Sequence, residues 1–288
     1  MKDGILHGLL CDGQAAIEII SARDTVARAG EIHNASPEVT AALGRALMGA
    51  RLMCGRLKGE KERLSLTFKG DGPAGSIIAV AGSGGVLKGY AAEPGARAGF
   101  RADGKLNVGG VVGSRGTLTV ARDSGSGEPY AGVSELVSGE IAEDIAKYYL
   151  ISEQQPSAVL LGVGFERAEV VSAGGILITP LPGCSQDALE QIERTLSQLR
   201  PVSELAQFYQ SLEEFLHDSF WEIGARSLEE KQVAYYCDCS RERMLEALFA
   251  LPKSDREELA EQDEIEMCCQ SVSYTHLRAH ETGSNLVC

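Results

Sequence analysis

The chemistry in this sequence sits in its cysteines. Four of the eight, Cys237, Cys239, Cys268 and Cys269, fall within 33 residues. Cys237 and Cys239 are two apart, so in an extended segment both sulfurs project to one side. Gathered sulfurs are what Zn²⁺ takes as ligands, as tetrahedral thiolates at roughly 2.3 Å. The same sulfurs oxidise to disulfides, which expels a metal. The stretch is therefore a candidate metal site, a candidate redox site, or a switch between the two.

Adjacent residues rarely ligate one metal well, so one of Cys268 and Cys269 reads as a ligand and the other as a bystander. Three sulfurs leave a structural zinc site one donor short. His276 and His280, spaced i and i+4, and Cys288 are the downstream candidates for the fourth. Cys11, Cys54 and Cys184 lie in or beside apolar runs and read as small buried hydrophobes.

The elements that must position these thiols change character along the chain. At 288 residues, 44% hydrophobic and 24% charged, about two domains with a real core are expected. No apolar run spans a bilayer and no secretory signal opens the chain. Cytoplasmic residence is therefore expected, where thiols stay reduced. Charge is uneven: residues 1–186 carry 18 basic and 20 acidic groups, residues 187–266 carry 8 and 20. An acidic half of this kind repels phosphate backbones, the reverse of a nucleic-acid footprint.

The first part reads as strands with a few helices. Gly4–Cys11 and Gln14–Ser21 are apolar runs joined by a tight Asp12-Gly13 turn, and a helix over Asp24–Ile32 follows. Ser36 as N-cap, Pro37 and Glu38 signal a helix, with Val39, Leu43, Leu47, Ala50, Met53 and Leu57 as one apolar stripe. Strands are expected at Arg63–Lys69, Gly75–Ala81, Gly85–Ala91, Lys105–Val112, Thr117–Arg122, Ala158–Phe165 and Val170–Thr179. Ser124–Gly127 reads as loop, and Ser138 as the cap of a helix Glu140–Ile151. Runs of strands with few helices indicate α+β with a mainly antiparallel sheet.

Beyond Pro180 and Pro182 the pattern turns helical, at Asp187–Leu199, Val202–Leu216, Arg241–Leu251 and Arg256–Gln262. The expected division is 1–179 as an α+β domain, 180–230 as a helical linker, 231–270 as an incomplete zinc or redox domain, and 271–288 as a tail. Gly162-Val-Gly164 lacks the third glycine and following helix of a dinucleotide site. His7 and His33 have no nucleophile or carboxylate partner in pattern. No catalytic residue is assigned, and the chain reads as a non-enzyme.

Tyr235-Tyr236-Cys237-Asp238-Cys239-Ser240-Arg241-Glu242-Arg243, with a Cys 29 residues on, resembles the redox switch of the heat shock protein 33 family of chaperones. Ser36–Arg45, Phe68–Pro73, Leu136–Asp144 and Ser152–Ala158 resemble the same family in unbroken order over about residues 1–270. The resemblance implies an N-terminal α+β domain, a helical linker and a small C-terminal zinc domain. It also implies one Zn²⁺ on four cysteines in an inactive reduced monomer. Oxidation would pair neighbouring cysteines, release the metal, unfold the zinc domain and then the linker, and yield a dimer that holds unfolding client proteins without ATP. Carried over, Cys237, Cys239 and Cys269 are ligands and redox-active thiols. The family pattern puts the fourth cysteine at position 272, where this chain has Val272. Residues from Ser271 onward resemble no part of the family, and Ser273–Thr282 reads like a translated adapter fragment.

Physical reasoning points the same way. Structural zinc is worth roughly 10–16 kcal/mol in small peptides, more than about 40 ordered residues gain from their own core. Residues 187–230 carry 3 basic and 10 acidic groups, net −7, a segment suited to melting next. The alternatives are a thiol–disulfide oxidoreductase, which needs a low-pKa Cys-x-x-Cys at a helix start, and a zinc-dependent nucleic-acid binder, which the acidic half opposes.

Overall fold

The computed structural model describes residues 1–55, 59, 62–125, 130–204, 208–260 and 265–279, with the backbone alone at 260, 265 and 274–279. Leu57, Gln262, His280, Cys288 and part of the Ser124–Gly127 loop lie outside the described residues. The chain divides into two compact units, Met1–Tyr236 and Cys237–Cys288.

The first unit is built from two five-stranded antiparallel sheets. One has β1 (Gly4–Leu10) and β2 (Ala15–Ser21) at its centre, with β9 (Glu169–Pro180) and β8 (Ala158–Glu166) on one side and β10 (Arg226–Gln232) on the other. The second runs β5 (Leu87–Ala91), β4 (Ser76–Gly82), β3 (Arg63–Gly70), β6 (Gly116–Asp123), β7 (Tyr130–Glu135). Mixed α+β architecture with antiparallel sheets is therefore what the chain adopts.

Helix α2 (Pro37–Cys54) is the centre of the main core. Ser36 Oγ accepts from the Val39 amide at its start, as the sequence signals. Every residue from Glu38 to Cys54 except Arg45 is buried, so the helix is enclosed all round and not packed on one stripe. Two glycines make that possible. A Cβ on Gly44 would lie 2.5 Å from Val26 of α1 (Arg23–His33), and one on Gly49 2.5 Å from Ile145 of α4 (Ala142–Ile151). Each costs about 1 kcal/mol of helix propensity, offset by the close approach.

The structure corrects several sequence expectations. Lys105–Val112 is not a strand: Asn107 Oδ1 caps a short helix, α3 (Val108–Val112), by accepting from Gly110 N–H. Strand β6 pairs with β3 and β7. The residue capping α4 is not Ser138. Asp144, fully buried, accepts from the amides of Val137, Ser138 and Gly139 on Oδ1 and of Ile141 on Oδ2. Ile141 sits at φ +72°, a conformation that costs a β-branched residue about 1–3 kcal/mol and that the Asp144 bond holds. Replacing the carboxylate by an amide puts an N–H₂ against backbone donors. Asp144→Asn is expected to lose about 2–4 kcal/mol, read as a lower melting temperature at pH 7; an unchanged melt would show that the loop is held otherwise.

The region expected as helical from Val202 to Leu216 is a 3₁₀ turn at Val202–Glu204 and a later helix, α6 (Leu212–Phe220). Ser211 Oγ accepts from Glu214 N–H and Glu214 Oε2 from Gln210 N–H, a reciprocal cap. With α5 (Gln186–Gln198), α6 covers the outer face of the first sheet. Leu6, Leu10, Ile17, Ile19, Ile176 and Ile178 on that face are at most 1% exposed, sealed by Ile192, Leu212, Phe215, Leu216 and Phe220. Leu212 and Leu216 ride directly over β1, 3.6 and 3.5 Å from where a Cβ on Gly4 and Gly8 would stand.

The second unit holds α7 (Arg241–Phe249), α8 (Lys253–Ala260) and a hairpin of β11 (Ile265–Cys269) with β12 (Tyr274–Ala279). Among the described residues, no helix is long and apolar enough to cross a membrane.

Candidate metal and redox site

The approach to the thiols is fixed before it reaches them. After β10 the chain crosses from the first sheet to the edge of the second. Tyr236 and Leu87 exchange backbone hydrogen bonds of 2.9 and 3.1 Å. The Tyr235 hydroxyl donates to Gly89 O at 2.8 Å and accepts from Gly89 N–H at 3.2 Å. Sequence reasoning found this pair of tyrosines only as part of a motif; the structure gives them an anchoring role.

In the second unit the Sγ atoms of Cys237, Cys239 and Cys269 lie within 4.8 Å of one another, and Cys237 to Cys269 is 3.7 Å. Tetrahedral zinc with bonds of roughly 2.3 Å separates its sulfurs by about 3.8 Å, so the Cys237–Cys269 spacing matches an edge of such a site and Cys239 lies near enough to be a third ligand. Burial raises the charged form of Cys269 in energy. Hydrogen bonds from the Cys237 thiol, the Ser271 amide, Cys239 and the Val272 amide outweigh it, and the net effect is a lowered pKa. Cys239 goes the other way, pushed up to about 12 by burial and by hydrogen bonds and charge from Cys237 and Cys269. Three thiolates cannot share this volume without a cation, and a bound cation reverses that balance.

Of the remaining candidates, Cys268 alone has a described side chain, and it does not join them. Cys268 is exposed, its thiol 3.7 Å from Glu266 Oε1. His276 stands in β12, while His280 and Cys288 lie outside the described residues. Val272 is in the turn after β11, its amide donating to Cys269 O at 3.3 Å. Among the described residues, the donor set fits a metal ion with three protein thiolates. Cys54 is buried in the main core, and Cys11 in the cluster under α5.

A two-sheet α+β core followed by three thiols able to hold a metal ion defines a thiol-bearing α+β protein. The Hsp33 protein family model matches residues 3–274, and the chain belongs to that family. It is 40% identical over 249 residues to the 33 kDa chaperonin of Caldanaerobacter subterraneus subsp. tengcongensis, covering 86% of this chain and 85% of that one. With the 33 kDa chaperonin of Bacillus mycoides it shares 35% identity over 289 residues, covering 100% and 99%. The crystal structure of the 33 kDa chaperonin (heat shock protein 33 homolog) from Thermotoga maritima superposes with a TM-score of 0.88 at 33% identity, over 100% of this chain and 98% of that one. These relatives are named as chaperonins and not as enzymes.

Proposed function

We propose that this chain is a cytoplasmic, ATP-independent holdase, silent when reduced and activated by oxidation. The observation that carries the reading is the concealed apolar face of the first sheet and the nature of its cover. Six strand residues of that face are at most 1% exposed. The cover continues into β10, whose seven residues are all exposed, so that strand contributes backbone bonds and almost no burial. Residues 187–230 carry a net −7, and like charges oppose compaction. Within the first unit, this charged cover is the part that opens.

Cys237, Cys239 and Cys269 would hold Zn²⁺, which when bound supplies the positive charge that keeps three thiolates together. Peroxide takes two electrons from the Cys237 and Cys239 thiolates and two protons from solvent, forming a disulfide and two waters, and removes two of the three donors. The helices beside the hairpin bury little: Leu248 is the one buried residue of α7, and residues 253–259 of α8 have none. They unfold without the shared centre. Cys237 follows Tyr236 directly, so loosening there pulls on the clamp to Leu87 and Gly89 and then on β10. Once α6 lifts, the bared isoleucines and leucines hold extended apolar segments of unfolding clients, with a second copy of the chain pairing in the oxidised state.

The test is light scattering from a heat-unfolding client enzyme, with zinc-loaded reduced protein and with peroxide-treated protein. Suppression by the oxidised form alone is expected. Equal suppression by the reduced form would overturn the reading.

A further inference from the structure

A second pair of cysteines, distant in sequence, lies at one end of the first sheet, against one apolar cluster. Strands β2 and β9 pair without a break from Ser21↔Gly174 to Ala15↔Pro180. The association continues past the strands: Leu181 N–H donates to Gln14 O at 2.8 Å, and Ser185 N–H to Gln14 Oε1 at 2.9 Å. On either chain, four residues beyond the last pair, stands a cysteine, Cys11 on one and Cys184 on the other. Cys11 is buried in the apolar cluster under α5, and the half-buried Cys184 packs against the same cluster. The Cys11 sulfur lies 3.9 Å from Ala188 O in the first turn of α5, whose N-cap, Ser185, follows Cys184. Burial pushes the Cys11 thiol up, and the charge of Cys184 adds to it.

We propose that Cys11 and Cys184 form a second redox site, an intramolecular disulfide tying the turn between β1 and β2 to the head of α5. Cys184, the more accessible thiol, meets peroxide first. Its sulfur takes one oxygen as the O–O bond breaks, giving a sulfenic acid and one water. The Cys11 sulfur then displaces the second oxygen as water, so two thiols and one peroxide become one disulfide and two waters. A disulfide needs Cα atoms within about 7 Å, and in this proposal the Gln14 clamp supplies that closeness. The consequence for client binding rests on the function proposed above. With its head tied down, α5 stays on the sheet while α6 and β10 open, so oxidation exposes part of the apolar face and not all of it.

The full chain is treated with hydrogen peroxide, remaining thiols are alkylated, and the protein is digested without reduction. Mass spectrometry is expected to find one peptide pair joined through Cys11 and Cys184 that falls apart on reduction. The pair should disappear in Cys184→Ser and persist when Cys237, Cys239 and Cys269 are all replaced by Ser. Finding Cys11 and Cys184 singly alkylated after Cys237 and Cys239 are fully oxidised, or Cys184 joined to another cysteine, would overturn the proposal. The wild-type digest is decisive alone, so it does not depend on how a variant folds. A Cys11–Cys184 bond in a protein that never holds client sinks the holdase reading and leaves this site standing; client holding without the bond does the reverse.

Discussion

Val272→Cys should tighten zinc binding by at least about a hundredfold. Four-ligand structural sites are worth roughly 10–16 kcal/mol, so one thiolate accounts for about 2.5–4 kcal/mol, or two to three decades in affinity. The turn that carries position 272 is already shaped for the purpose, since the amides of Ser271 and Val272 point at the Cys269 sulfur and favour its thiolate. A sulfur at 272 would sit on the turn that follows Cys269, where the Val272 amide already bonds Cys269 O. Competition with a chromophoric chelator under reducing conditions reads the change. Cys239→Ser in the wild-type background should weaken binding further. Unchanged affinity in Val272→Cys would mean that another group closes the site, and Cys268→Ser and His276→Ala would then identify it by their own losses.

How much of this was legible beforehand follows from where burial leaves a trace. The α2 start and strands β1, β2, β3, β4 and β9 bury one or both faces, and their apolar spacing announces them. Strand β10 was not read as a strand because Arg226–Gln232 buries neither face; an edge held by backbone bonds alone writes no hydrophobic pattern. Strand β7 was missed for a related reason, since Tyr130–Glu135 has a single buried residue, Ser134. Lys105–Val112 looked like a strand because of its valines, but Asn107 and two glycines favour a capped turn of helix, and Val108, Val111 and Val112 bury themselves with helical spacing. Asp144 as a loop anchor could have been found only as a carboxylate near Gly139 and Ile141, with nothing local to set it apart from other acidic residues. For the thiol cluster, spacing brought Cys237 and Cys239 together, but the choice of Cys269 over Cys268 came from family likeness. The geometry separates them physically: the Cys269 sulfur is near the others while Cys268 faces Glu266.

Phe215→Ala should make the reduced protein hold clients without any oxidant. Phe215 is 1% exposed and lies between two aromatic neighbours, edge-on to Phe220 at 6.0 Å and to Tyr209 at 5.2 Å between ring centres. Truncating a buried phenylalanine costs about 3–5 kcal/mol. The loss falls on the helix that seals the outer face of the first sheet, while the main core around α2 keeps its contacts. If the cover opens locally before the rest unfolds, the open population rises by about two to four decades. Reduced Phe215→Ala should then suppress client aggregation, and amide exchange in β1 should accelerate while that in β3 and β4 does not. Trp221→Ala is the matched control: Trp221 is 64% exposed, and its loss leaves the cover in place. Should Phe215→Ala unfold the whole chain, Leu216→Ala, at about 2–5 kcal/mol, asks the same question with a smaller side chain. Fast exchange in β1 with no client binding would show that the face is uncovered and inert, and the sheet would then not be the surface that clients meet.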